Sequence, residues 1–156
     1  MKHYTLKELQ CKCGCNGLTG EKRANTEALV EQVLDPLRTS YGHPVYVNSG
    51  YRCPAKNKTI GGAANSQHTK GEAADITAGS PEENFKLASI IVKNGHWDQM
   101  ILEDVGPDDL LPRWIHVSWK RGGVNRREVR KRITGAGPHY PLLTDDELQS
   151  LKGGAS

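Results

Sequence analysis

The chain has 156 residues, a formal net charge of +3 and a charged fraction of 25%, a size that suits one domain burying about two-thirds of its unfolded surface. Leu, Val, Ile and Ala are spread along it, which excludes a disordered chain, and the small net charge excludes a partner chosen by composition alone, nucleic acid included. No apolar run approaches the roughly 20 residues of a membrane span, and the opening MKHYTLKELQ lacks the apolar region of a signal peptide, so a monomer made as a soluble cytoplasmic product is expected.

In chain order, Thr5 and Glu8 read as a capping box opening a short helical turn. Over 21–40, Ala28, Leu29, Val33, Leu34 and Leu37 recur at helical spacing, with a kink or break near Pro36. VYVNSGY, 45–51, is rich in β-branched and aromatic residues and predicts a strand running into a glycine turn. Residues 53–72, punctuated by Pro54, Gly61, Gly62, Asn65 and Gly71, predict a loop, and AADIT, 73–77, a second strand. Ser80-Pro81-Glu82-Glu83 marks a helix start, with a serine cap and proline in the first turn, and the helix should run to Lys93 and end at Asn94-Gly95. DQMILED, 98–104, and RWIHVSWK, 113–120, predict two strands joined by the turn GPDDLLP. A helix from Asn125 is expected to carry the basic run, TGAGPHYP breaks the pattern after Thr134, and Thr144-Asp145-Asp146-Glu147 caps a last short helix. The order predicts an α+β fold, a small antiparallel sheet flanked by helices, with a domain over 1–133 and a partly ordered C-terminal tail over 134–156.

Two local compositions stand out. Residues 120–132, KRGGVNRREVRKR, hold seven basic side chains and one acid, Glu128. Such a run is either a solvated face or a contact for a polyanion such as nucleic acid, anionic lipid or cell-wall polymer. Cys11, Cys13 and Cys15 alternate in CKCGC, and Cys53 stands alone. A four-thiolate zinc site, a disulfide from Cys53 into the cluster, and reduced thiols all fit that pattern.

The chemistry concentrates in SQHTKGEAADIT, 66–77, where His68 and Asp75 bracket small and polar residues. On the strand RWIHVSWK, Trp114, His116 and Ser118 share one face, opposite Ile115, Val117 and Trp119, so His116 points away from the core side. Two histidines and one carboxylate make a tridentate zinc set that leaves the fourth position to water. By residue type alone, a hydrogen-bonded structural histidine and a turn-forming aspartate fit as well.

Ser66-x-His68-x-x-Gly71-x-Ala73-x-Asp75 resembles the first half of the zinc site in the D-Ala-D-Ala carboxypeptidase family of peptidoglycan peptidases, which holds carboxypeptidases, dipeptidases and phage L-Ala-D-Glu endopeptidases. SGYRCP, 49–54, is similar to that family's S-G-Y-R segment, and WIHVSW, 114–119, to the strand of its third ligand, so the resemblance spans roughly residues 3–130 and is nearest the small single-domain members. It implies a hedgehog/DD-peptidase-like fold with one zinc ion on His68, Asp75 and His116, Arg52 holding a substrate carboxylate or oxyanion, and Ser66 donating to the bound peptide. Trp114, on the His116 face, would line the cleft and pack on substrate. His3, His43, His96 and His139 lie outside the motif, and His96 is the substitute ligand should one of the three fail.

The chain departs from the better-known members at the general base. They carry a carboxylate three residues before the third ligand, and Arg113 stands there. If 98–104 and 113–120 pair as a hairpin, Gln99, Ile101 and Glu103 share a face and Glu103 lies beside His116, which makes it the first choice, ahead of Asp98 and Asp104. The function expected is zinc-dependent hydrolysis of peptidoglycan stem peptides, by a phage-type endolysin or a carboxypeptidase, acting on the wall after release. Residues 120–132 would adhere to its anionic surface, with no nucleic-acid partner. The alternative is a non-catalytic zinc module of the hedgehog-like fold. Sequence leaves open which bond is cut.

Overall fold

The computed structural model describes residues 1–154, so the last two positions of the 134–156 tail lie outside the described residues. A five-stranded sheet organises it, with β1 (Tyr46–Ser49), β2 (Ala73–Thr77), β3 (Gln99–Val105), β4 (Trp114–Ser118) and β5 (Glu128–Ile133) in the order β1-β2-β4-β3-β5. Neighbours are antiparallel except β3 and β5, which run parallel. The predicted antiparallel sheet thus gains one parallel edge.

Alternation along the strands separates two faces. Ala74 and Ile76, Met100 and Leu102, Ile115 and Val117, and Val129 join one buried cluster with Leu29, Val30, Leu34, Leu37, Leu87 and Ile91 of the helices. The opposite face keeps Asp75, Glu103, His116 and the arginines of β5, and it is there that the chain leaves a cleft.

Helix α1 (Leu6–Leu9) opens with the predicted Thr5–Glu8 capping box. The long amphipathic segment is one continuous run, α2 (Gly20–Leu29) and α3 (Asp35–Tyr41) joined through a π-turn at Val30–Leu34. Pro36 explains the turn, since a proline in a regular helix clashes with the preceding turn and leaves a carbonyl without its donor. The widened turn absorbs both, and the Asp35 N–H reaches back to Val30 O.

Helix α5 (Pro81–Asn94) starts on the Ser80 cap, whose Oγ accepts from Glu83 N, and stops at Gly95 in the left-handed region. The predicted loop over 53–72 contains α4 (Pro54–Thr59) and a 3-10 turn at Gln67–Lys70. Pro54 at the first position of α4, which pre-sets the helical φ, was the signal for it.

The helix expected from Asn125 does not form. Gly122 and Gly123 break the chain, the Asn125 side chain bonds both the N–H and the carbonyl of Lys120, and Glu128–Ile133 then enters the sheet as β5. Val129 goes to the core while Arg130 and Arg132 turn to the carboxylates on the other face, so cross-strand partners overrule helical propensity.

After 133 the chain bridges back to the sheet at Leu142 and forms α6 (Asp145–Gly153) on a Thr144–Glu147 capping box. Leu151 is fully buried, in the same cluster as Leu87 and Ile91 of α5. Leu151→Ala is therefore expected to cost about 2–5 kcal/mol of unfolding free energy in denaturant titration. A loss under about 0.5 kcal/mol, the scale of a surface change, would detach α6 from the core.

Candidate metal centre

Register builds the centre. Asp75 lies directly across from His116 in the β2–β4 ladder, and side chains so paired stand about 5 Å apart on one face. Asp75 Oδ1 is 3.3 Å from His116 Nδ1 and 3.3 Å from His68 Nε2. His68 arrives from the 3-10 turn, where Ser66 Oγ accepts its N–H and Gly71 ends the turn at φ +74. Gly71 also packs so closely on the Lys22 carbonyl of α2 that a side chain would collide with it. Those two constraints explain the serine and the glycine around His68.

One donor atom from each of His68, Asp75 and His116 lies within 4.8 Å of the others. The remaining ring nitrogens are committed elsewhere: His68 Nδ1 sits 2.8 Å from Gly50 O, and His116 Nε2 2.9 Å from Gln67 Oε1. Both partners are acceptors, so each imidazole places its proton there and turns a lone pair toward Asp75. Two imidazole nitrogens, each braced from behind and neutral when it binds a metal, and a carboxylate oxygen are the donor set that zinc takes in open sites. Burial alone would raise the Asp75 carboxyl, but hydrogen bonds and charge from the two rings in their protonated form outweigh it and hold the group well below the usual carboxylate range, the proton on each inner nitrogen standing where a metal ion would bind.

Around this centre runs an open cleft of about 700 Å³ whose lining includes Arg52, Ser66, Glu103, Trp114 and Tyr140. Arg52 donates from Nη1 to Asn57 Oδ1 at 3.0 Å, and its Nη2 stands 4.0 Å from Asp75 Oδ2. Ser66, beyond its capping role, gives its hydroxyl proton to no acceptor among the described residues.

Glu103 is buried on the cleft face, opposite Trp114 and diagonal to His116. Its Oε2 accepts from Arg132 Nε at 2.9 Å, while Oε1 has no partner among the described residues and remains solvent-accessible. Burial pushes this carboxyl up, and although Arg132 and His116 pull it down, burial wins.

The other acids differ. Asp98 is fully buried and saturated by the Arg126 backbone and guanidinium, Gln67 Nε2 and Ser118 Oγ, and the guanidinium and main-chain donors hold it low against burial. Asp104, at φ +53 in the bulge before Val105, is taken by Arg132 Nη2 at 2.6 Å. Arg113 is exposed, and His96 is exposed and stacked on Trp119, outside the converging set.

Gln67 and Tyr140 are among the cleft residues not singled out in the sequence. Gln67, inside the S-x-H motif, links His116 to Asp98 through its two amide atoms. Tyr140 comes from the tail, and nothing in TGAGPHYP announced it. The basic run is largely spent within the protein: Arg126, Arg130, Lys131 and Arg132 each pair with a carboxylate, and Lys120, Arg121 and Arg127 form no such pair among the described residues.

Against known families, the Peptidase M15 profile matches residues 2–118, three-quarters of the chain and all three converging residues. The chain belongs to the Peptidase M15 family. Within this family setting, the zinc D-Ala-D-Ala carboxypeptidase of Streptomyces albus G is 39% identical over 83 residues, which are 50% of this chain and 32% of that protein. The chain thus spans about a third of the length of the curated relative it matches.

Gln67→Leu removes the acceptor behind His116 while keeping side-chain volume. It is expected to weaken zinc retention about 10–100-fold in competition with a chromogenic chelator. Unchanged affinity would show that the Gln67 contact does not orient the ring.

Proposed function

We propose that this chain is a zinc-dependent peptidase of peptidoglycan stem peptides, with His68, Asp75 and His116 holding one zinc ion and Glu103 serving as general base. The observation that carries this reading is the convergence of two braced imidazoles and a carboxylate in an open cleft beside a buried carboxylate with one free oxygen. The named activity of the Streptomyces relative supports D-Ala-D-Ala as the substrate class.

When bound, zinc supplies Lewis acidity and brings the pKa of a water toward neutrality. Glu103 Oε1 then accepts the proton of the attacking water and, once protonated, delivers it to the leaving amine. Arg52 offers two parallel N–H donors to the oxyanion or to a terminal substrate carboxylate, Ser66 donates to the peptide backbone, and Trp114 packs on the ligand. Arg132 pulls Glu103 toward the ionised form in a site whose burial favours the neutral acid.

We extend the reading to a bacteriolytic, endolysin-type role. Lys120 in the cleft lining and the exposed Arg121 and Arg127, none of them ion-paired among the described residues, suit an anionic wall polymer; in this reading the enzyme works at the wall and is a monomer. The second reading, a metal module without catalysis, draws on Arg113 in place of the usual carboxylate and on the Arg132 clamp over Glu103.

Digestion of purified stem peptides with zinc-loaded protein, read by mass spectrometry, separates these. Loss of a terminal D-Ala marks a carboxypeptidase, an L-Ala–D-Glu cut an endopeptidase, and clearing of a wall suspension the lytic role. His116→Ala is expected to lose both the cleft zinc and cleavage. Intact peptides after incubation with fully zinc-loaded protein would sink the hydrolase reading.

Glu103→Gln is expected to retain zinc and lose at least ~100-fold in kcat/KM. The sign for pH follows from the raised carboxyl: activity needs the ionised form, so it falls as pH drops through a value above the ~4.3 of an ordinary glutamate. Arg132→Met removes a group that favours ionisation and should move this acidic limb further up. A limb unmoved by Arg132→Met, or near-normal turnover by Glu103→Gln, would take Glu103 out of the role.

A further inference from the structure

A second set of metal-binding side chains lies outside the cleft. Cys11, Cys13 and Cys15 of the N-terminal segment meet Cys53, the residue that caps α4, and their four sulfurs all lie within 4.8 Å of one another. Cys11 Sγ is 3.2 Å from Cys13 Sγ, which is 3.5 Å from Cys53 Sγ, and all four are free thiols.

The size of the cluster is informative. Four sulfurs at about 2.3 Å from one ion form a tetrahedron with edges of about 3.8 Å. A disulfide would join two of the sulfurs and leave the other two without a reason to converge.

The backbone is shaped to bring the alternating cysteines together. Gly14 at φ +77 and Asn16 at φ +52 turn the chain sharply, and Gly14 N bonds Cys11 O at 3.2 Å. An extended strand would put Cys11, Cys13 and Cys15 on one face but about 6.6 Å apart at each step, too far to share an ion; the left-handed Gly14 within CKCGC and Asn16 just after it curl the segment so that the sulfurs converge. Backbone N–H groups of Cys53 and Lys56 point at Cys11 Sγ and Cys53 Sγ, both at 3.4 Å, as donors that brace thiolate ligands.

We propose that Cys11, Cys13, Cys15 and Cys53 bind a second, structural metal ion of the soft tetrahedral class, zinc first. With four protein ligands the site is closed to substrate, in contrast to the three-donor cleft. Its place explains its use. Tyr51 N bonds Leu9 O at 2.8 Å and Arg52 N bonds His68 O at 3.0 Å, so the ion ties the N-terminal arm to the segment that presents Arg52 and carries the Gly50 carbonyl behind His68.

The test is metal counting on protein purified under reducing conditions without chelators. Wild type should hold two zinc ions per chain, and His116→Ala should keep one. That remaining ion should show four sulfur neighbours at about 2.3 Å in zinc-edge X-ray absorption. Cys13→Ser/Cys15→Ser should lose this ion and leave the cleft ion in place. Should that variant fail to fold, the sulfur shell of His116→Ala decides alone. A His116→Ala protein that folds but holds no metal, a remaining ion without a sulfur shell, or a native disulfide among the four cysteines overturns the proposal. Failure of the cleft assignment reads differently: His116→Ala would then retain the full wild-type metal content.

Discussion

The structure depends on one cross-strand pair, Asp75 opposite His116. Strand side chains alternate, so a one-residue slip of β2 against β4 would send Asp75 into the core and Ile76 into the cleft. The slip is blocked because Ala74, Ile76, Ile115 and Val117 are all buried on the other face. The apolar core therefore sets the geometry of the metal centre. It holds a carboxylate and two imidazoles close enough to share an ion while their outer nitrogens are tied to Gly50 O and Gln67 Oε1. Precision comes from packing on one side of the sheet, and chemistry is done on the other.

Much of this was legible beforehand, for definite reasons. AADIT, the Ser80 cap and the Gly95 stop are local signals with local causes, and each appears at its expected residue. The hairpin of β3 and β4 followed from two β-rich runs across a turn, and its register places Glu103 and His116 on one face as expected. What escaped notice is non-local. A run of arginines and lysines has no intrinsic reason to be a strand; β5 exists because Gln99, Glu103 and Asp104 of β3 and its own Glu128 supply partners for it. Gln67 belongs to the same class, since only folding shows that its amide lies between His116 and Asp98.

The basic segment changes meaning once folded. A run that reads as an external cationic patch instead neutralises buried or half-buried carboxylates on the cleft face. Asp98 is the extreme case: with no exposure at all, an unpaired carboxylate there would be strongly destabilising, and Arg126 with its main-chain N–H answers it. Because Asp98 also accepts a hydrogen bond from Gln67 Nε2, the Arg126 charge is connected through three successive hydrogen bonds to the ring of His116. An arginine outside the candidate metal centre thus helps fix the tautomer of one of its histidines.

Glu103 occupies the balance point of these effects. Without Arg132, burial would push its pKa higher still and favour the neutral acid, which cannot accept a proton. Fully clamped, with both oxygens paired as in Asp98, it would be ionised but occupied. One oxygen on Arg132 and the other open to solvent favours the ionised form while leaving one free acceptor, and the parallel pairing of β5 with β3 delivers the arginine to that position. A chain that carries Arg113 in the usual place of the base can in this way draw one from the neighbouring strand, provided the edge strand that tunes it stays in register.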